Sequence, residues 1–129
     1  MAQHISAFAI VVPDYDLAIE FYVSTLGFDL IEDTQLSPTK RWVLVAPKDA
    51  QTRILLAKAD GAEQRAAIGN QTGGRVGFFL NTDDFEADYA RMRAAGVHFE
   101  EAPRYEPYGS VAVFNDPFGN RWDLLQLTR

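Results

Sequence analysis

At 129 residues, 47% hydrophobic and 23% charged, the chain suits one compact domain or two half-sized modules, with a core that needs neither a disulfide nor a structural metal. It contains no cysteine, which excludes disulfides, thiolate metal sites and a cysteine nucleophile. A net charge of −6 argues against nucleic acid or an anionic membrane surface as partner, and no apolar run approaches the ~20 residues that span a bilayer.

Met1 to Ser6 shows neither the basic nor the apolar segment of a signal peptide, so a cytoplasmic setting is expected. Phe8 to Val12 (FAIVV) reads as a first strand that Pro13-Asp14 breaks. Asp14 or Asp16 then caps a helix whose apolar positions Leu17, Phe21, Tyr22 and Leu26 recur at helical spacing until Gly27 stops it. Strands are predicted over 28–31, 42–46 (WVLVA) and 53–57 (RILLA). Residues 58–74 are small and polar, and read as a linker with at most one helical turn.

The pattern then restarts. A strand over 75–80 (RVGFFL) meets the cap Asp83-Asp84, and Phe85, Tyr89, Met92 and Ala95 share one helical face up to Gly96. Three further strands follow over 97–99, 111–114 and 122–127. The organisation is therefore α+β, with two βαβββ modules at 1–57 and 75–129 joined by 58–74. A spacing of 69 superposes Asp14 on Asp83 and Gly27 on Gly96, and a spacing of 68 superposes Arg53-Ile-Leu-Leu on Arg121-Trp-Asp-Leu. The one-residue difference is read as a turn insertion.

The segment FYVSTLGF (21–28), the turn DPFGN (116–120) before Trp122-Asp-Leu, and the duplication together resemble the vicinal-oxygen-chelate superfamily, the glyoxalase, bleomycin-resistance and dioxygenase proteins. The resemblance spans about Ile5 to Leu127. It implies curved mixed sheets that enclose a ligand cavity, and a homodimer. It also implies metal ligands, usually His and Glu, on the first and fourth strands of each module. Those positions fall on Ala7 and Leu55 (or Leu56) in the first module, and on Arg75 and Asp123 in the second. An alanine and a leucine have no donor atoms and an arginine repels a cation, so no metal and no other cofactor is expected. His4, an odd number of residues from Ala7, would face the opposite side of that strand, and His98 lies in the strand after Gly96, so neither restores a site.

In place of the metal, Arg75 and Asp123 are expected to form a bidentate pair. Arg41, Trp42 and Tyr108 join Ala7, Leu55, Phe79, Phe114, Arg75 and Asp123 as candidate pocket residues, although Trp42, Phe79, Phe114 and Trp122 also read as core aromatics. The stretch RYEPYG (104–109) reads as a mobile loop over the cavity with Glu106 as a candidate general base. Arg75, Asp123 and Glu106 are thus the catalytic candidates.

Three functions follow. The first is a metal-free binder that sequesters an antibiotic-like or other small organic ligand. The second is a glyoxalase-like lyase, isomerase or dioxygenase that requires a divalent metal. The third is a metal-independent enzyme using Arg75 as electrophile.

Overall fold

The computed structural model describes residues 1–128, and the chain divides into two compact units, Met1–Ile68 and Gly69–Arg129. In the first, β1 (Ala7–Val12) leads to α1 (Tyr15–Ile19), which continues as a π-helical segment, Glu20–Thr25. β2 (Asp29–Gln35), β3 (Arg41–Ala46) and β4 (Arg53–Lys58) follow. The sheet order is β1-β4-β3-β2, with β4 parallel to β1 and the other pairs antiparallel. α2 (Ala62–Ala67) lies within the stretch read from sequence as a linker.

The second unit repeats the plan with β5 (Phe78–Asn81), α3 (Phe85–Ala94), β6 (His98–Phe99), β7 (Arg104–Glu106), β8 (Gly109–Asn115) and β9 (Arg121–Leu127). Its order is β5-β9-β8-β6, with β7 also on β8, and β9 runs parallel to β5. The fold is α+β with mixed sheets: the first unit is a βαβββ module followed by α2, and the second adds one short strand, β7, to that plan.

The repeat is visible in the caps. Asp14 accepts from the Leu17 backbone N–H and Asp84 from that of Ala87, so Asp84, not Asp83, is the counterpart of Asp14. The cap spacing is therefore 70 (84 less 14), whereas Gly27 and Gly96, which stop the two helices at φ 89° and 92°, stand 69 apart (96 less 27). The first helix holds one residue more, and the π segment absorbs it. There the Leu26 N–H reaches back five residues to the Phe21 carbonyl at 2.8 Å. This extra residue lies inside a helix and is separate from the step from 69 to 68 between Gly27 and Arg53, a stretch in which β2 carries a register shift at Leu30/Glu32. The wider turn also lets the adjacent Phe21 and Tyr22 both be buried, edge to face at 5.0 Å.

Two other expectations are corrected. β5 begins at Phe78 rather than Arg75, because the approach to it is held by local bonds: Thr72 Oγ1 donates to the Arg75 carbonyl and Arg75 Nε to the Val76 carbonyl. Residues 104–109 are not a free loop. Arg104–Glu106 pairs with β8 in a hairpin turned by Pro107-Tyr108, and Arg104 is tied to Glu101 and Glu106 at 3.0 and 2.9 Å.

The fully buried residues Ile10, Val12, Tyr22, Val43, Val45 and Leu56 form the heart of the first unit, and Phe85, Met92, Phe114 and Leu124 that of the second. The central strands β3 and β8 are buried almost end to end, as strands covered on both faces are.

Candidate functional site

A groove of about 630 Å³ opens in the first unit, within the size range of small-ligand sites. The start of β3 supplies Arg41 and Trp42, the end of β4 supplies Leu55 and Lys58, and Tyr15 and Gln64 close the sides. Its rim is fixed by Arg41. That guanidinium grips Asp33 through two bonds of 3.1 and 2.7 Å and Asp16 through one of 2.9 Å, and it lies 5.1 Å from the centre of the Tyr15 ring. The Tyr15 hydroxyl in turn accepts from the Arg41 backbone N–H. The Arg41 hydrogen bond holds the Asp33 carboxyl below the usual carboxylate range, against a smaller upward push from burial. Arg41 is therefore occupied as a strut, while Trp42 is 39% exposed and free for contact.

The second unit holds a different constellation around Asp123. This residue pairs with Phe79 on β5 and with Val113 on β8. Its Oδ1 is buried without a hydrogen-bond partner. Burial raises the Asp123 carboxyl above its ordinary pKa, and the charge of Glu101 adds to the rise while Arg104 and Arg121 oppose it. The Arg75–Asp123 pair expected from the sequence does not form: Arg75 is exposed, lies outside β5 and donates to Val76.

The candidate residues thus separate. Arg41, Trp42 and Leu55 share the groove; Phe79 and Asp123 are ladder partners. Ala7 opens β1 opposite Arg53. Phe114 is fully buried, between Phe99 at 5.7 Å and Trp122 at 5.7 Å, and belongs to the core. Tyr108 is exposed at the β7–β8 turn, and Glu106 is spent on Arg104. Tyr15, Lys58 and Gln64 were missed because nothing in their local sequence marks them; only the return of β4 beside β1 brings them together.

The ladders also revise the metal positions. Ala7 stands opposite Arg53 in β1–β4, and the matching position opposite Arg121 is Gly77, whose N–H donates to the Arg121 carbonyl. Gly77, not Arg75, is the counterpart of Ala7. A Cβ at Gly77 would run into the Thr72 side chain. The donor set is then a methyl and an isobutyl group in the first unit, and a bare glycine with one carboxylate in the second. These residues do not fit a divalent cation, and among the described residues no cluster of three His, Cys, Asp or Glu is placed to hold one.

The family model of the Glyoxalase/Bleomycin resistance protein/Dioxygenase superfamily matches residues 4–124, and the chain belongs to that family. A protein of Shewanella frigidimarina is 56% identical over 129 residues, covering 98% of this chain and 96% of the relative. Among solved structures, TnmS3, an antibiotic binding protein from Streptomyces sp. CB03234, is 37% identical over 98% of both chains with a TM-score of 0.79. UcmS2 is 33% identical, covering 97% of this chain and 98% of its own, with a TM-score of 0.84. No helix of the described residues is long and apolar enough to cross a membrane.

Proposed function

We propose that this chain is a metal-independent small-molecule binder that sequesters an antibiotic-like organic ligand, acting as a homodimer in the cytoplasm. The observation that carries the reading is the end-to-end likeness to TnmS3, an antibiotic binding protein. The donor-poor strand positions support the metal-free part, and the exposed Trp42 beside a preformed groove supports the ligand class. A lyase, isomerase or dioxygenase of this family would need a cation that these side chains are unsuited to hold, and an Arg75 electrophile would need a guanidinium beside Asp123.

Two measurements test it. Protein purified without chelators should carry Zn, Mn, Fe and Ni far below one ion per chain. Thermal denaturation against a panel of aromatic and glycopeptide antibiotics should give a saturable rise for at least one member, about 2.7 kcal/mol at a hundredfold excess over Kd. Stoichiometric metal, or conversion of the bound compound, would overturn the reading. Light scattering at a mass near twice 14.4 kDa supports the dimer; a monomer removes that part.

A further inference from the structure

We infer that the first-unit groove selects a planar aromatic ligand bearing an acidic group, held by Trp42 and by the ammonium groups of Lys40 and Lys58. The inference deepens the small-molecule reading and rests on it.

Arg41, the most conspicuous cation of the groove, is unavailable, since Asp33 and Asp16 neutralise it. What remains decides the charge preference. Lys40 and Lys58 both line the groove, and neither takes part in an ion pair among the described residues. Against them stands one lining carboxylate, Asp60. With Arg41 and the two carboxylates it binds, Asp33 and Asp16, the groove and its rim carry three cations and three anions, so the site is locally neutral on a chain whose net charge is −6, and its unpaired cations are the two lysines. On a chain that is net acidic, an anion is therefore drawn to the two lysines that no carboxylate occupies.

The neutral polar groups point the same way. Gln64 Oε1 already accepts from the Asp60 backbone N–H at 2.8 Å, which leaves the amide N–H groups of Gln64 as its free hydrogen-bonding groups. Ser37 and Thr39 add hydroxyl donors to the lining. A ligand acceptor is therefore better served than a ligand donor. Trp42, 39% exposed, supplies the stacking face, with Leu55 as the apolar floor.

The test uses the full chain and two fluorescent probes of similar shape, anionic anilinonaphthalene sulfonate and uncharged phenylnaphthylamine. The sulfonate should bind saturably with energy transfer from tryptophan, and more tightly than the neutral probe. Lys40→Ala and Lys58→Ala should each weaken the sulfonate about fivefold and leave the neutral probe unchanged. Asp60→Asn should tighten the sulfonate about two- to threefold, and added salt should weaken it. Thermal denaturation of each variant confirms that it folds. Equal affinity for the two probes, with no response to the lysine variants, overturns the acidic-ligand inference while the small-molecule reading stands. Sulfonate binding unaffected by Trp42→Leu, or no saturable sulfonate binding, overturns it too, whereas metal content and the antibiotic panel judge the broader reading independently.

Discussion

Asp123 stands directly opposite Phe79 in the parallel β5–β9 ladder, and one oxygen of its carboxylate is buried there with nothing to bond. An unsatisfied buried acceptor costs about 1–3 kcal/mol, and a group that is only half-buried falls at the low end. Asp123→Leu should therefore stabilise the fold by about 1 kcal/mol at neutral pH, the opposite of what a paired carboxylate would show. Because the folded-state pKa is raised, the folded chain holds a proton that the unfolded chain releases. The penalty is absent below the unfolded value near 3.9 and grows as pH rises through the folded one. Urea denaturation of both proteins from pH 3 to 8 checks the trend. A variant less stable than the parent at pH 7 refutes it.

Glu100 titrates in the other direction. Arg121 grips it through bonds of 2.8 and 2.7 Å and Asn115 donates at 2.6 Å, and the Arg121 hydrogen bond takes the carboxyl from 4.5 to about 2. A depressed folded pKa means stability that is present above the unfolded value and lost as pH falls from about 4.5 towards 2. The pair is about a third exposed, so solvent screens it, and Glu100→Gln should cost about 1 kcal/mol at pH 7. The two proteins should converge near pH 2. A constant gap across that range would assign the loss to packing instead.

The strand order and the duplication were legible because Gly27, Gly96 and the Asp caps punctuate apolar runs of fixed period. The register was not. Placing Arg75 at a ligand position carried the spacing of 68 that fits Arg53 and Arg121 back to Ala7, whereas the ladders give 70 (77 less 7); the π segment at Glu20–Thr25, which no propensity marks, accounts for one of the two residues. The hairpin at 104–106 was hidden for a related reason. Arg104 looks like a surface charge until Glu101 and Glu106 are brought beside it. Trp42 and Phe79 read as core by composition, yet both are exposed, since an aromatic residue carries no sequence mark of which sheet face it occupies. Arg41 and Trp42 stand side by side at the groove, but their roles differ: one braces and one is free.

Two glycines separate backbone strain from steric contact. Gly61 has φ 89° and open space where a Cβ would stand, whereas Gly69 has φ 71° and would drive a Cβ into the Phe118 carbonyl. Gly61→Ala should cost about 2 kcal/mol, since φ 89° with ψ 167° is a conformation essentially reserved for glycine. Gly69→Ala combines the strain of a positive φ with a collision with main chain that cannot rotate away, so about 4 kcal/mol is expected. Chemical denaturation of the two variants ranks them; equal losses would show that the 118–119 turn yields freely.

Arg41 links three elements, taking Asp33 from β2 and Asp16 from α1 while its own residue begins β3. Its side chain is only 20% exposed, and the two bonds to Asp33 use the planar fork. A lysine offers one point charge and cannot reproduce that geometry. Arg41→Lys should therefore lose about 1 kcal/mol, nearly as much as Arg41→Gln, although it keeps the charge. Since Asp33 is held below the usual carboxylate range by this bond, the stabilisation exists above the unfolded value near 3.9 and vanishes as pH falls below it. Both variants should match the parent at pH 2 and fall below it at pH 7. If Arg41→Lys retained full stability at neutral pH, charge alone would account for the brace, and the fork would be irrelevant to the rim of the groove.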